Sequence, residues 1–453
     1  MTLPVSAFKA YDIRGRVPDE LNAEIAEAIG RAYASFLAPD RVVVGHDIRL
    51  SSPEITDGLI NGLRAAGVSV SHIGECGTEE IYFATEHYGF DGGIVVTASH
   101  NPMNYNGMKL VRSGSRPVSG DSGLHVIRDL VAVNRFADAG ERGSLGMLDH
   151  RAAYVNHLLR YIDAEQLAAM KIVANPGNGG AGSVIDALSE KLPVEFIKVH
   201  FEPDGHFPHG VPNPLLETNR SSTIEAVKES GAALGVAWDG DFDRCFLFDE
   251  NGRFIEGYYI VGLLAKAFLE RSAGGVIVHD PRLTWNTIDI VESAGGSAVM
   301  SKTGHAFIKE RMRAEDAIYG GVMSAHHYFR DFAYCDSGML PWMLVIDLMS
   351  RTGKKLSELV DERIERFPVS GEINRRIEDP AGLLDRLELL YGADAVRVDH
   401  VDGLSVEYPD WRFNVRASNT EPVVRLNVES RGNNELMMQK RDELLAHMGG
   451  EPA

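Results

Sequence analysis

The stretch Gly93-Ile94-Val95-Val96-Thr97-Ala98-Ser99-His100-Asn101-Pro102 joins a short apolar run to a polar turn. A brief apolar run bounded by turn residues is typical of a buried strand. Ligands of open α/β sheets bind at the carboxyl ends of the strands, so we expect Ser99 to be exposed where chemistry is done. His100, together with Lys109, offers this serine a titratable partner and a cation. An ordinary Ser-His-Asn-Pro turn without catalytic role is the alternative.

Helical and extended patterns alternate on both sides of this stretch. Apolar residues recur at helical spacing over Asp19–Leu37, and apolar runs at 42–44 and 68–73 predict strands. Such alternation indicates parallel strands with crossover helices. The pattern restarts near Lys171 and again near Gly275, at intervals typical of domains. The last part of the chain places strands next to one another, which favours a smaller α+β domain.

Composition and charge exclude several classes of protein. Hydrophobic residues make up 44% and charged residues 24% of the 453 residues, as in soluble globular proteins. The formal net charge of −20 opposes broad binding to nucleic acid or to an anionic membrane. No apolar run approaches a membrane span and the start lacks a signal pattern, so we expect a cytoplasmic protein. Cys76, Cys245 and Cys335 are too scattered for a disulfide framework.

Three carboxylates follow the apolar run 234–237 in the loop Trp238-Asp239-Gly240-Asp241-Phe242-Asp243-Arg244. Carboxylates at alternating positions converge on one point, an arrangement suited to a hard cation such as Mg²⁺. A calcium-binding EF-hand loop is rejected, because Arg244 stands where that loop needs glycine and 245–248 has a strand pattern. The other alternative is a solvated acidic turn, in which these like charges would repel one another.

Cations mark two further regions. Arg416-Ala417-Ser418-Asn419-Thr420-Glu421-Pro422, followed by Arg425, combines two guanidinium groups with hydroxyl and amide donors, a set suited to a phosphate monoester. A structural helix cap is the alternative there. Near the start, Tyr11-Asp12-Ile13-Arg14-Gly15 and Val44-Gly45-His46-Asp47-Ile48-Arg49 place two more cations at strand ends. When each of these two motifs is considered alone, we expect Arg14 and Arg49 to be surface charges.

Together these motifs resemble the signatures of the α-D-phosphohexomutases, in that family's order and over essentially the whole chain. Gly257-Tyr258-Tyr259, the segment His279–Asn286 and Ala325-His326-His327-Tyr328-Phe329 are most similar to the bacterial phosphomannomutase/phosphoglucomutase branch. The resemblance implies a heart-shaped molecule with three mixed α/β domains and a C-terminal α+β domain. The implied domains are a phosphoserine domain (1–146), a metal-binding domain (147–250), a sugar-binding domain (251–366) and a phosphate-binding domain (367–453).

The resemblance also implies residue roles in Mg²⁺-dependent transfer of a phosphoryl group between the 6- and 1-positions of mannose, and of glucose, through a hexose 1,6-bisphosphate. Ser99 would be the phosphoserine. The residues placed at the reacting phosphate are Tyr11, Arg14, Ser99, His100, Lys109 and Arg244. The implied Mg²⁺ ligands are Ser99, Asp239, Asp241 and Asp243. The residues implied to bind the sugar or the phosphate that is not reacting are Arg282, His305, Val322, Ser324, His326, Arg416, Ser418, Asn419, Thr420 and Arg425.

Val322 departs from the family pattern, whereas Ala325 is familiar from the branch that this chain resembles. Where the family has Gly-Glu-Met-Ser-Gly-His, this chain has Gly321-Val322-Met323-Ser324-Ala325-His326. A glutamate would accept hydrogen bonds from two sugar hydroxyls, and valine can accept none. We therefore expect Val322 to weaken turnover while leaving the fold and the metal site intact.

Other functions stay open at this point. A phosphoglucosamine mutase is one alternative, and a phosphosugar-binding protein with impaired catalysis is another. A phosphatase that forms an aspartyl-phosphate on Asp239 would survive loss of Ser99. For the preferred function we expect a monomer that binds a small phosphosugar, without nucleic-acid or membrane partners, in carbohydrate metabolism and GDP-mannose biosynthesis.

Overall fold

Helices and strands alternate through most of the chain in the computed structural model, which describes residues 3–137, 139–417 and 423–453. The helices are α1 (Ala23–Leu37), α2 (Ser52–Ala65), α3 (Thr78–His87), α4 (Leu124–Val133), α5 (Arg151–Leu159), α6 (Gly182–Ser189), α7 (Ser221–Ser230), α8 (Gly257–Arg271), α9 (Trp285–Ser293), α10 (His305–Glu315), α11 (Leu340–Thr352), α12 (Leu356–Arg366), α13 (Pro380–Tyr391) and α14 (Asn434–Met448). The strands are β1 (Ile13–Arg16), β2 (Arg41–His46), β3 (Ser69–Glu75), β4 (Gly92–Val96), β5 (Tyr105–Arg112), β6 (Arg116–Pro117), β7 (Leu145–Met147), β8 (Met170–Asn175), β9 (Val194–Lys198), β10 (Leu234–Trp238), β11 (Cys245–Phe248), β12 (Phe254–Ile255), β13 (Val276–His279), β14 (Ser297–Met300), β15 (Tyr319–Gly321), β16 (His327–Phe329), β17 (Cys335–Asp336), β18 (Ile373–Arg376), β19 (Arg397–Asp399), β20 (Leu404–Glu407), β21 (Trp411–Ala417), β22 (Val424–Ser430) and β23 (Glu451–Pro452).

The chain forms two compact units. The first unit contains Met1–Phe254 and His326–Lys355, and the second contains Ile255–Ala325 and Leu356–Ala453. Among the described residues, none of the helices combines the length and the apolar character that a membrane-spanning helix requires.

The first sheet of the first unit has the strand order β1-β5-β4-β2-β3-β7. Strands β2, β3 and β4 are parallel, as the alternating pattern predicts, and β7, which it did not predict, pairs in parallel with β3. Strands β1 and β5 are antiparallel additions that the sequence pattern did not predict. All residues of β4 are buried, so the Ser99 loop begins at a strand in the middle of the sheet that is shielded from solvent on both faces.

The second sheet of the first unit places the carboxylate loop between two paired strands. Strands β8, β9 and β10 are parallel, and β11 returns antiparallel beside β10 with Trp238 opposite Cys245. The strand predicted at 245–248 is confirmed as β11. Because this hairpin closes at Trp238 and Cys245, the loop Asp239–Arg244 has little freedom to spread its charges apart. Cys76, Cys245 and Cys335 are buried free thiols.

The second unit contains a parallel group and an antiparallel sheet. Strands β14, β13 and β15 lie side by side in parallel. The C-terminal sheet has the order β19-β20-β21-β22-β18-β23, with antiparallel neighbours throughout, and its core includes Leu387, Phe413 and Leu444. The predicted class, mixed α/β followed by a C-terminal α+β part, is confirmed.

Candidate active site

Ser99 lies in the loop after β4, and it is buried rather than exposed as predicted, with only 5% of its surface accessible. The carboxylate loop covers it so closely that a Cβ atom at Gly240 would come within 2.5 Å of the Ser99 carbonyl oxygen. Ser99 has a left-handed backbone (φ 48°), which few residues other than glycine adopt. The Ser99 hydroxyl donates a hydrogen bond to Asp239 Oδ2 at 2.8 Å.

His100 lies between Ser99 and Arg244. Its Nδ1 atom is 3.1 Å from Ser99 Oγ and 2.6 Å from Arg244 Nη2. Since a guanidinium can only donate, Nδ1 is the acceptor and the ring proton is on Nε2. Desolvation of the ring, with the positive charges of Arg244 and Arg14, lowers the pKa of His100 well below its ordinary value. Because His100 Nδ1 already accepts a hydrogen bond from Arg244, Asp239 is the acceptor for the Ser99 hydroxyl.

The three carboxylates of the loop are brought together as predicted. One oxygen atom from each of Asp239, Asp241 and Asp243 lies within 4.8 Å of the others, and all three residues are buried. Asp241 Oδ2 accepts from Thr78 Oγ1 at 2.5 Å and from Lys109 Nζ at 2.7 Å. Asp241 Oδ1 and Asp243 Oδ1 are buried without a hydrogen-bond partner among the described residues. Oxygen ligands without partners in an anionic group fit a divalent hard cation.

Charges in this carboxylate cluster, the group Asp239, Asp241 and Asp243, shift the pKa values of its neighbours. Burial would lower the pKa of Lys109, but Asp241 and Asp243 outweigh it and raise that pKa, so the ammonium stays charged. Burial would raise the pKa of Asp241, and Lys109 and Arg14 instead lower it. Burial and the charge of Asp241 raise the pKa of Asp243 to about 6. The cluster therefore has more negative charge than Lys109 alone offsets.

Arg14 and Tyr11 lie at the first strand. Arg14 is in β1 opposite Gly107, where its Nε donates to Asp12 Oδ2 at 3.0 Å and its Nη1 to the Thr97 carbonyl at 3.3 Å. Burial opposes the charge of Arg14, but Asp12 and Asp241 raise its pKa. Tyr11 is half-buried and lies two residues before β1. Arg14 is therefore a cation of the Ser99 region, and not the surface charge expected when its motif is taken singly.

His326 joins the same cluster through a carboxylate that the sequence did not indicate. His326 Nδ1 is 2.8 Å from Asp336 Oδ2 and 3.9 Å from Asp243 Oδ1. The segment after Asp336 is fixed by Glu79, which accepts from Ser337 Oγ at 2.9 Å and from the Gly338 amide at 2.5 Å. Asp336 and Glu79 carry no motif of their own, so only the folded chain reveals them. Thr78, at the start of α3, was missed for the same reason.

The second unit contains an arginine cluster, Arg282, Arg416 and Arg425, centred on Glu372. Arg282 Nη1 is 3.0 Å from Glu372 Oε2, Arg425 Nη1 is 3.1 Å from Glu372 Oε1, and Arg416 Nη2 is 3.7 Å from Oε2. Arg416 and Arg425 stand directly opposite each other on β21 and β22. Burial would raise the pKa of Glu372, but the three arginines lower it. Glu372 has no motif that could have predicted it.

Of the other residues predicted to bind the sugar, Ser324 contacts Arg282, and Val322 and His305 are described by their place in the chain. Arg282 Nη2 donates to Ser324 Oγ at 3.2 Å, and Arg282 also pairs with Asp280. Val322 is 3% exposed and begins a turn in which the Ala325 amide donates to the Val322 carbonyl at 3.0 Å. Ala325 has φ 69°, which explains why the family pattern has glycine there. His305 begins α10. Ser418, Asn419 and Thr420 lie outside the described residues.

Four family models match consecutive parts of the chain. They are described as phosphoglucomutase/phosphomannomutase α/β/α domain I (residues 5–136), domain II (152–252), domain III (256–367) and the C-terminal domain (372–447). The chain belongs to the phosphoglucomutase/phosphomannomutase family. This confirms the resemblance seen in the motifs, and with it the prediction of an enzyme. The domain boundaries drawn from the sequence stay a prediction.

Individual family members are similar over nearly their whole length. The phosphomannomutase of Salmonella montevideo is 60% identical over 448 residues, covering 97% of this chain and 98% of that protein. A protein of Xanthomonas campestris described as phosphohexose mutases is 56% identical and covers 98% of this chain and 99% of its own. The crystal structure of a family protein from Burkholderia thailandensis has a TM-score of 0.89 at 33% identity and covers 99% of both chains.

Proposed function

We propose that this family member is a Mg²⁺-dependent phosphohexomutase that interconverts the 6- and 1-phosphates of mannose, and of glucose. The observation that carries the proposal is the hydrogen bond from Ser99 Oγ to Asp239, inside a buried group of three carboxylates. Similar proteins named phosphomannomutase, at 56–60% identity over nearly full length, support mannose phosphates as substrates.

The proposed reaction passes through phosphorylated Ser99. The free hydroxyl of a hexose monophosphate attacks the phosphorus, its O–P bond forms, the bond to Ser99 Oγ breaks, and the hydroxyl proton passes to a protein base. The resulting hexose 1,6-bisphosphate then returns its other phosphoryl group to Ser99. Such transfers depend mainly on positioning and on stabilising the charge that is spread over the phosphoryl oxygens.

Each charged residue of the cluster then has a distinct task. Asp239, Asp241 and Asp243, with Ser99, would hold Mg²⁺, which offsets the negative charge of the transferring group when bound. Lys109, whose raised pKa keeps it protonated, stabilises charge rather than removing a proton. Neutral His100 carries its proton on Nε2, because Arg244 occupies Nδ1, so Nε2 can donate a hydrogen bond to a phosphoryl oxygen but cannot accept the hydroxyl proton.

The arginine cluster is proposed to bind the phosphate that is not reacting. Guanidinium groups recognise phosphate through paired, charge-assisted hydrogen bonds. Arg416 and Arg425, with Ser418, Asn419 and Thr420, would bind this phosphate whether it is on carbon 1 or carbon 6. A cytoplasmic monomer that serves GDP-mannose biosynthesis stays a prediction.

A coupled assay tests the function. Mannose 1-phosphate, glucose 1-phosphate and glucosamine 1-phosphate are each supplied with a catalytic amount of the matching 1,6-bisphosphate. We expect turnover of the first two, loss of turnover in Ser99→Ala, and no change in Ser35→Ala. Ser35 is an exposed residue of α1 whose hydroxyl donates to the Arg31 carbonyl.

Each other outcome points to a different function. Turnover of glucosamine 1-phosphate alone would indicate a phosphoglucosamine mutase, and binding without turnover would indicate a phosphosugar-binding protein. Phosphate release that survives in Ser99→Ala would indicate an aspartyl-phosphate phosphatase. Any of these three results would overturn the proposal.

A further inference from the structure

Arg49 binds the main chain of the Ser99 loop. It lies beyond the end of β2, is only 2% exposed, and donates to four carbonyl oxygens of this loop. The distances are 2.8 Å to Pro102 and 2.9 Å to Tyr105 from Nη1, and 2.9 Å to Ser99 and 2.6 Å to Asn101 from Nη2. One guanidinium group therefore connects the residues on both sides of the turn.

The guanidinium is itself held in place from the other side. Asp47 Oδ2 lies 3.4 Å from Arg49 Nε, and Asp47 Oδ1 accepts from the Arg49 amide at 3.0 Å and from Ser52 Oγ at 2.5 Å. The Ala98 amide also donates to Asp47 Oδ2, at 3.3 Å. The face of the Phe207 ring lies 5.4 Å from the Arg49 guanidinium carbon. Asp47 and Arg49 thus bind the loop through an amide and through carbonyls.

The number of N–H donors on Arg49 limits the groups that it can bind. The two terminal nitrogens of a guanidinium carry four N–H bonds, and the four carbonyls use them all. The Nε donor faces Asp47. Because Nε is buried, no donor is left that a substrate phosphate could reach. Arg49 is therefore neither the surface charge expected from the sequence nor a phosphate-binding residue.

We infer that Arg49 is a positioning residue that holds the Ser99 loop in its left-handed conformation and so directs Ser99 Oγ at Asp239. This inference rests on the proposed role of Ser99 as phosphoserine. A residue in an unfavourable backbone region persists only where its surroundings fix it, and the four hydrogen bonds supply that constraint. Lysine at this position would keep the charge but could reach fewer of the carbonyls, because its ammonium lacks the planar fork.

The test compares Arg49→Lys with Arg41→Lys. Arg41 is a matched control, because it lies at the other end of β2, is exposed, and also donates to carbonyls, those of Tyr88 and Gly89. For Arg49→Lys we expect kcat with mannose 1-phosphate to fall at least tenfold while KM changes less than twofold. Hydrogen exchange of the amides in 98–105 should become faster, while exchange in β4 stays unchanged. Arg41→Lys should leave all three quantities unchanged.

The outcomes separate this inference from the function on which it rests. Wild-type kcat in folded Arg49→Lys, with Ser99→Ala inactive, would overturn the positioning role alone. Full activity of Ser99→Ala would instead remove the phosphoserine function. If Arg49→Lys does not fold, Arg49→Gln, which buries no charge, replaces it with the same expectations. If neither variant folds, hydrogen exchange of the wild-type protein is the test. Fast exchange of the amides in 98–105 would overturn the inference, and exchange as slow as that of β4 would support it.

Discussion

The carboxylate cluster of the first unit and the arginine cluster of the second unit are built on the same principle with opposite signs. Each collects three like charges, and each contains ions of the other sign, Lys109 and Arg244 in the first and Glu372 and Asp280 in the second. In both clusters the compensation is incomplete. Asp241 Oδ1 in the first, and Arg416 Nε in the second, are buried without a hydrogen-bond partner among the described residues. The difference in sign fits the cation proposed for the first cluster and the phosphate proposed for the second.

Asp241→Asn should have the largest effect. A neutral amide replaces an anionic oxygen ligand, so we expect kcat to fall about 100-fold to 1,000-fold and the Mg²⁺ concentration for half-maximal rate to rise. The control is Asp186→Asn, which removes an exposed carboxylate paired with Lys198 and should leave the rate unchanged. Wild-type activity in the presence of a strong chelator would contradict the cation assignment.

Arg416→Ala tests the anion assignment. Loss of a charge-assisted hydrogen bond costs about 1.5–3 kcal/mol, which is roughly a 10-fold to 150-fold weaker affinity. We expect this loss for 1-phosphosugars and 6-phosphosugars alike, measured by isothermal titration. Arg397→Ala, in which an exposed arginine paired with Asp399 is removed, is the control. An effect on only one isomer would mean that the cluster does not bind the idle phosphate of both.

The sequence predicted those features of the two clusters whose residues are close together in the chain. The carboxylate loop and both arginines of the C-terminal motif are recognisable because their charges are close together in the chain. The parallel strands were predictable because their apolar runs are short and continuous. Strand β5 was not predicted, since Tyr105–Arg112 mixes buried polar residues such as Asn106 and Lys109 with apolar ones.

The compensating and positioning groups could not be predicted from local pattern. Glu372, Asp336 and Arg49 each act on residues that are distant in sequence, and none of them lies in a motif that states its partner. The prediction that Ser99 is exposed was wrong for the same reason, because the loop that covers it comes from another sheet. These features depend on contacts between segments that are distant in sequence, and local residue spacing cannot predict such contacts.

Val322→Glu would add an anionic acceptor for sugar hydroxyls to the second unit. If the hydroxyls of the hexose now lack an acceptor, the variant should raise kcat/KM at least about tenfold, from relief of roughly 1–3 kcal/mol per unsatisfied group. The measurement is kcat/KM and Tm on one sample. Because Val322 is buried, a variant that is less stable and no faster would show that the pocket is built for valine.

Replacement of His157 should give the smallest effect, a change in the pH dependence of stability. His157 is a half-buried titratable residue that has no ion of opposite charge paired with it in the part of the chain that the structure describes. Its ring packs against Phe83 and Phe332, and its Nε2 has no hydrogen-bond partner among the described residues. Burial and the charge of Arg160 lower its pKa to about 4. Between its ordinary pKa and about 4, the unfolded chain binds a proton that the folded chain does not, so stability falls as the pH falls through this window.

We therefore expect the wild-type protein to lose about 1–2 kcal/mol more stability than His157→Phe between about pH 7.5 and pH 5. Urea unfolding at both pH values measures this difference. His125→Phe, which changes an exposed histidine on α4, is the control and should keep the wild-type dependence. Equal acid sensitivity in wild-type and His157→Phe protein would contradict the prediction.

Ser99 is proposed to carry the transferred phosphoryl group, and the intact mass of the protein reports whether it does. After incubation with glucose 1,6-bisphosphate and Mg²⁺, the wild-type protein should gain one phosphoryl group, about 80 Da. Peptide mapping should place this group on Ser99, and addition of mannose 1-phosphate should remove it. The Ser99→Ala variant should gain no mass. A phosphoryl group on another residue, or an active wild-type enzyme that never gains this mass, would contradict the account.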